Sequence, residues 1–448
     1  MFIDGVAYAS IARNMADHYG SFWQPYYTET MYPFYEHPPL GFWLQSWGYW
    51  LCGDGIYVEA IWGGVIVGIL LLISLAALWR RLAPQDMVGP WFPLLLVAIT
   101  PMTSWALANN MLEPTMTLFV VLAVWLCVCS VQSPDPWRAV IYGVVSGLSL
   151  CAALLVKGPV ALFPLVTPWL VPTSEVAHVR KRLLILLLLV ATMTTAFLLM
   201  GIAHPAAFSF LTRYLRQQVV SSVTGARGMS SSRFMTLAVV SREALVPFLL
   251  GGVLTVVLAR RASRTRGSFH TPLLSMFLGL ALAGSLPILI SVKQQRWYAF
   301  PSLPFYALAI AVLYNAPALY CERLLQQYGT WRRRACMAAM AILLIAVLWM
   351  IVEWQALRRD ADFHADFSVQ PFRIEARHII SVYPGTLATH WSLVANMQRT
   401  LKASLSAELG HPYLLTTIEQ AESIPSVARY QQVHPAHPRK YLLLKLVE

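Results

Sequence analysis

Arg180-Lys181-Arg182 is followed by LLILLLLVATMTTAFLLMGIA, residues 183–203. The run carries no charge, and about 20 apolar residues in a helix are enough to cross the hydrocarbon core of a bilayer. A cluster of cations on one flank marks the cytoplasmic end of such a span. The pattern recurs along the chain. Windows 57–79, 90–108, 114–131, 139–156, 159–172, 236–258, 272–292, 298–316 and 335–354 are also apolar enough to be spans, so about ten transmembrane helices are predicted. The windows 159–172 and 298–316 are short and contain proline.

Composition agrees. Hydrophobic residues make up 57% of the 448 and charged residues 12%, where a soluble domain is about a quarter charged. The mean hydropathy is +0.57. The formal charge of +12 therefore reads as topology-setting Lys and Arg rather than as a nucleic-acid surface. If every span is real, Arg80/Arg81, Arg138, Arg180/Lys181/Arg182, Arg260/Arg261/Arg264/Arg266 and Arg332/Arg333/Arg334 fall on one side, the cytoplasmic one. Residues 1–56, the loop around Glu113, the turn at Lys157, the loop 204–235, the turn 293–297 and the tail from 356 then lie outside the cytoplasm. The opening is polar and amphipathic, not charged and then apolar, which predicts no signal peptide. The six cysteines form no metal-type CxxC and no disulfide framework.

Three segments follow: 1–56, a first extracytoplasmic loop with interfacial helices; 57–355, the transmembrane domain; and 356–448, a small α/β domain. In the tail, Tyr413–Thr417 and Tyr441–Val447 read as buried strands, and 371–382 and 418–427 as helices. The class is all-α polytopic membrane protein with a C-terminal α/β extracytoplasmic domain.

Polar groups that a membrane makes costly are candidates for chemistry. Asp4 precedes a stripe of Tyr8, Ile11, Ala12 and Met15 at helical spacing. It reads as an N-cap, as a carboxylate able to take a proton from a hydroxyl, or as both. Glu36 and His37 precede Pro38-Pro39, which fix an extended loop, and an aromatic interfacial helix follows. Either they are a solvated loop tip or they are pinned at the membrane surface. Glu113 stands at a helix start before Pro114, where the dipole favours an acid. Lys157 sits in an apolar hairpin broken by Gly158-Pro159. An intramembrane cation marks a functional site by default, the alternative being a snorkelling anchor. Arg296 with Trp297 and Tyr298 reads as an interface belt, or as a cation and phenol suited to a lipid phosphate. Arg213 and Arg216, one turn apart, are a solvated face or an addition to that site. Asp360-Ala361-Asp362 and Asp366 carry the residue type of a metal ligand, but their place between the last span and the tail reads as a solvated linker. No cofactor is assigned, and a divalent metal stays open.

These residues carry a resemblance. Asp4-Gly5-Val6-Ala7-Tyr8-Ala9-Ser10-Ile11-Ala12-Arg13-Asn14-Met15 looks like the first extracytoplasmic loop of the GT-C glycosyltransferases, in the branch of the dolichyl-phosphate-mannose protein mannosyltransferases and the bacterial aminoarabinose lipid A transferases. Glu36-His37-Pro38-Pro39-Leu40-Gly41-Phe42-Trp43 resembles that branch's "(E)KPPL..W" block, Leu155-Val156-Lys157-Gly158-Pro159 its "TKGP" block, and Arg296 through Pro304 its "RY..P.LP" block. Each block is weak alone; four in family order across 1–315 are specific. The resemblance implies a GT-C fold and an enzyme of the inner (plasma) membrane. It would use a polyprenyl-phosphate sugar donor outside the cytoplasm and a lipid, glycan or protein acceptor. It implies Asp4 as the catalytic acid of the first loop, Glu113 as the second acid, and Lys157 and Arg296 as cations near the lipid phosphate, with His37 or Arg216 as helpers. Glu36, Tyr8 and Tyr298 lie in the same blocks. There are departures. Gly5 follows Asp4 where the family often has Asp-Glu, and His37 stands where it has Lys, which would make a phosphate contact pH-dependent. Family members begin with a helix ahead of the first loop, whereas this sequence opens on the loop. A transporter or flippase is the rival class. Those tend to have repeated halves with helices broken at the midplane, while here the polar groups gather toward one face. A non-catalytic scaffold for lipid-linked sugars is the third reading.

Overall fold

The computed structural model describes residues 1–55, 57–172, 179–226, 234–262, 270–327, 359–367, 378–424 and 429–447, together with 232, 329, 330, 333, 334 and 337. Along the chain run α1 (Ile3–Ala16), the short pair β1 (Gly20–Ser21) and β2 (Gln24–Pro25), α2 (Leu40–Cys52), α3 (Ala60–Leu82), α4 (Trp91–Ile99), α5 (Pro101–Ala108) and α6 (Leu112–Gln132). Then come α7 (Pro136–Lys157), α8 (Pro159–Leu170), α9 (Val179–Ala203), α10 (Pro205–Tyr214), α11 (Met235–Ala262), α12 (Thr271–Ile290), α13 (Arg296–Leu313) and α14 (Asn315–Gln327). After residue 359 follow α15 (Ala361–Phe367), β3 (Ile379–Tyr383), α16 (Trp391–Leu401), β4 (Ser404–Ser406), β5 (Tyr413–Thr417), β6 (Tyr430–His434) and β7 (Tyr441–Leu446). The chain forms two compact units, one of 1–34, 49–51 and 334–448, the other of 35–48 and 52–333.

In the larger unit, six helices among the described residues are long and apolar enough to cross a membrane: α3, α6, α7, α9, the Met235–Leu258 part of α11, and α12. The count rises to eight if each of two bent pairs is one span. Window 90–108 is one of these, α4 and α5 meeting at 69°. Thr100 turns extended before Pro101, as the residue preceding proline tends to. The freed end of α5 finds a partner in the buried Glu243 of α11, whose carboxylate accepts from Met102 N at 2.7 Å; an acid there suits a helix N-terminus. Window 298–316 is the other, with α13 and α14 at 74°. Window 159–172 is the short α8, wound as a 3-10 helix over Pro159–Val166. The tenth window, 335–354, lies outside the described residues apart from Met337.

Helix α6 is central, packed between α3 and α7 with 78% of its apolar window buried; for α9 the figure is 11%. Leu184, Leu187, Leu198, Leu199 and Ile202 of α9 are exposed, as lipid-facing side chains would be. At its start Arg182 donates to the carbonyls of Trp169 and Val171, so this predicted topology cation also closes the end of α8.

The smaller unit carries a five-stranded sheet in the order β4-β3-β5-β7-β6. Strand β3 runs parallel to β4 and β5, and β7 antiparallel to β5 and β6. The two predicted strands are β5 and β7. The expected helix over 371–382 is corrected where the chain is described: Ile379–Tyr383 is the inner strand β3, a β-branched and aromatic run that gains more from ladder hydrogen bonds than from a helix. Residues 418–423 form a 3-10 turn.

Helix α1 belongs to this unit and packs against α16. Buried Arg13 donates to Arg399 O at 3.0 Å and to Gln398 Oε1 at 3.2 Å. Asn14 Nδ2 donates to the carbonyls of Tyr26 and Tyr27, Glu29 N to Ser404 Oγ, and Thr30 Oγ1 to Leu405 O.

The linker reading of 360–366 is corrected in part. Asp366 is fully buried, and its carboxylate accepts from the backbone N–H groups of Arg439, Lys440 and Tyr441 at 2.7–3.0 Å. It fixes the entry to β7, so its role is structural. Asp366→Asn turns an amide NH2 toward those donors and loses charge-assisted bonds, at a cost of about 2–3 kcal/mol. The thermal midpoint of the full-length variant is expected to fall by several degrees, with earlier tryptic cleavage in the tail; an unchanged midpoint contradicts this.

Candidate active site

In the larger unit, α6 and α7 bring two of the candidate residues together. Tight close approach between α5 and α6 is made by Asn109-Asn110, with Asn110 at φ 54°, a left-handed conformation asparagine tolerates. Gln45 of α2 donates to Asn110 Oδ1 at 3.0 Å. Helix α6 starts at Leu112, which puts Glu113 and Pro114 in its first turn, where proline costs no internal bond. Lys157 is the last residue of α7. Its Nζ lies 2.5 Å from Glu113 Oε1, with the two side chains 6% and 0% exposed. The snorkelling reading of Lys157 is thereby replaced by a buried ion pair.

Gly158 ends α7 at φ 98°, ψ −156°, a region reserved for glycine. A Cβ there would run into the Tyr214 hydroxyl, which donates to Lys157 O at 3.1 Å. Tyr214 is a site neighbour the sequence reading passed over, although it stands between the two arginines that reading singled out. On the same helix, the Arg213 guanidinium lies 4.7 Å over the Tyr35 ring, and Phe210 packs against that ring. Helix α10 thus holds both the Lys157 turn and the head of the Tyr35–Leu40 loop. The loop's other end is seated by Gly41, whose Cβ position faces Leu112 and Val156, the chain neighbours of Glu113 and Lys157. Glu36 and His37 are half-buried within it.

Arg296 heads α13 and is exposed. The next residue, Trp297, stacks on Trp105 of α5 at 5.7 Å, with Tyr298 edge-on to it; α13 also packs on α6 at this start. Arg216 is exposed in a π-helical turn, Leu215–Val220. Among the described residues, neither arginine forms an ion pair with Glu113.

In the smaller unit, Asp4 is half-buried in the first turn of α1. The N-cap position falls to Phe2, so the capping reading of Asp4 is corrected: the acid stands inside the first turn, where the helix dipole favours it. Tyr8, one turn on, is 2% exposed. Among the described residues, no three His, Cys, Asp or Glu side chains gather as a metal site would require.

The chain is similar to known proteins in sequence and in fold. Residues 36–201 match the family of dolichyl-phosphate-mannose-protein mannosyltransferases. By fold the chain is similar to a membrane glycosyltransferase of known structure. It matches ArnT of Cupriavidus metallidurans bound to undecaprenyl phosphate with a TM-score of 0.59, over 98% of this chain and 93% of that one, at 15% identity. The apo state of the same protein matches at 0.58, over 98% and 92%, again at 15% identity. A curated relative is the undecaprenyl phosphate-alpha-4-amino-4-deoxy-L-arabinose arabinosyl transferase 1 of Proteus mirabilis, 25% identical over 163 residues. That alignment takes in 36% of this chain and spans 28% of the relative's length. The family match contains the Glu36–Gly41 loop, Glu113, Lys157 and Gly158, so the buried pair sits in the segment that resembles the family by sequence.

Proposed function

We propose that this chain is a membrane glycosyltransferase that moves a monosaccharide from a polyprenyl-phosphate carrier to an acceptor hydroxyl on the extracytoplasmic face. The buried Glu113–Lys157 pair carries the reading. An ion pair out of water costs several kcal/mol in desolvation, and this one stands at a glycine turn inside the family's shared segment. Lysine has three N–H donors, and Glu113 takes one. Lys157 is the cation assigned to the leaving phosphate, with Arg296 as the second and His37 or Arg216 as helpers. Neutralising charge on the leaving oxygens lowers the barrier. Asp4 takes the proton as the acceptor oxygen bonds to the anomeric carbon. The carbon–oxygen bond to phosphate breaks in the same displacement, and the anomeric centre inverts.

The test is purified protein in nanodiscs with radiolabelled undecaprenyl-phosphate monosaccharides and a lipid extract of the producing cells. Label is expected to pass to an acceptor and leave polyprenyl phosphate behind. Label that crosses the bilayer still attached to its carrier favours a flippase, and label that is bound without turnover favours a scaffold; either result ends this proposal. For orientation, reporter fusions after Arg182, Arg266 and Arg334 are expected to read cytoplasmic and one at Glu448 extracytoplasmic, from the Lys/Arg alternation. The same side for Arg266 and Glu448 would rule this topology out.

A further inference from the structure

The turn 291–295 joins α12 to α13 in the larger unit. On both sides of it the chain is wound as a 3-10 helix, over Leu286–Ile290 and Arg296–Ser302, each with a proline, Pro287 and Pro301. Such winding has poorer hydrogen-bond geometry than an α-helix, and proline donates no N–H, so local structure holds this turn weakly. The holding is done at longer range. Gln294 is fully buried. Its Oε1 accepts from Thr236 N at 3.1 Å and from Thr236 Oγ1 at 2.8 Å, and its Nε2 donates to Ser291 O at 3.2 Å. Thr236 is the second residue of α11, where backbone N–H groups have no partner within the helix. One amide therefore ends a neighbouring helix and closes its own turn. Val292 N donates to Ser222 O at 3.2 Å, just beyond the π-helical turn that carries Arg216.

Arg296 stands two residues beyond Gln294 and one before Trp297, whose ring lies on Trp105 of α5. Helix α5 is in turn held to α11 by the Glu243 carboxylate on Met102 N. The backbone of Arg296 is thus gripped from both sides by elements that are themselves joined: by α11 through Gln294, and by α5 through Trp297. The arginine is exposed, so its aim is set by where the turn puts its Cα rather than by packing around the guanidinium. A buried amide among apolar helices is costly unless its bonds are made, and these bonds all serve to hold the turn. We propose that Gln294 is a positioning residue for the sugar donor: its buried amide fixes the place of Arg296, and with it the reach of that cation to the donor phosphate. The proposal rests on the glycosyltransferase reading and its assignment of Arg296, and deepens it. Gln294 is shut off from any ligand and forms and breaks no bond in the step. It acts by leaving Arg296 already placed, so that donor binding does not have to order the turn. The ligand class is a lipid-linked sugar phosphodiester, read at its phosphate.

The test is a double-mutant cycle on donor kinetics. Gln294→Met keeps the side chain's length but makes none of its hydrogen bonds, and Arg296→Met removes the cation. Wild type, both single variants and the double variant are compared in nanodiscs, at equal folded protein, as undecaprenyl-phosphate monosaccharide and then the lipid extract are titrated. Gln294→Met is expected to raise donor KM by about fivefold to tenfold and to leave acceptor KM within about twofold. Residues that act as one unit are not additive, so the double variant is expected to match Arg296→Met to within about twofold. Thr236→Val, which takes away one of the two bonds to Gln294 Oε1, is expected to raise donor KM less, and Thr236→Ser, which keeps the hydroxyl, to restore it. If Gln294→Met does not fold, the same cycle is run with Thr236→Val and Arg296→Met. Equal losses from Gln294→Met with and without Arg296 would mark a merely structural amide and overturn the proposal. So would an unchanged donor KM in Gln294→Met. If wild type itself transfers nothing, the glycosyltransferase reading falls and this one with it; an active wild type with an equally active Arg296→Met sinks this one alone.

Discussion

Lys157→Gln is expected to lose most of the folded protein, not merely its activity. Glu113 is fully buried, and Lys157 Nζ is its cation. Taking away one partner of a buried ion pair leaves an uncompensated charge and costs about 3–5 kcal/mol, a large part of the stability of most folded chains. The double variant Glu113→Gln with Lys157→Gln removes both charges and leaves two amides able to bond each other. It is expected to regain the thermal midpoint to within about 1 kcal/mol, because no isolated charge remains. That variant then separates fold from chemistry. If Lys157 neutralises the leaving phosphate, the refolded double variant still fails to transfer, and donor affinity falls with turnover. If the pair is only a strut, the double variant transfers normally. Lys157→Arg keeps the charge but not the compact ammonium, and Tyr214 and Gly158 leave the turn little slack, so a partial loss is expected. A single Lys157→Gln variant as stable as wild type would mean the pair does not bear charge in the folded protein.

Asp4→Asn is expected to do the reverse: leave the protein intact and remove turnover. Asp4 stands in the first turn of α1 without capping it, so losing its charge costs about 0.3–1 kcal/mol of helix dipole energy. An amide cannot accept the acceptor's proton. A drop of at least about a hundredfold in transfer is expected, the size of a general-base contribution, at unchanged expression and with donor KM within about twofold. Near-normal turnover by Asp4→Asn would remove Asp4 as the base.

The stability of one substitution and the fragility of the other trace to burial. Asp4 is half-buried at a helix start, whereas Glu113 and Lys157 are closed in by α6, α7, α10 and the Gly41 contact. The two acids look alike in sequence, each near the start of a helix on the side assigned to the exterior. Only packing separates them.

Much of the fold is written in local patterns. Six of the ten apolar windows coincide with helices long enough to span, because a bilayer demands internal hydrogen bonding over about 20 residues, and that demand acts on each segment alone. The Gly158-Pro159 break was legible for the same reason: no other residue takes that backbone conformation. The bend of window 90–108 at Pro101 was not read from the sequence, although the residue before a proline is biased toward an extended backbone. What the windows could not hold is a pairing between distant residues. Glu113 and Lys157 lie 44 positions apart, and each had its own plausible local account, a dipole acid and a snorkelling lysine. Arg13 reaches Arg399 across 386 positions, which places α1 in one unit with a tail sheet that no amphipathic stripe announces. Asp366 read as solvated because its partners are backbone N–H groups more than seventy residues later, and backbone leaves no trace in composition. Local hydropathy and turn chemistry are properties of a segment, so the sequence by itself determined the membrane class, six of the apolar spans and the motif order; which charge meets which depends on long-range contacts that only the tertiary structure decided.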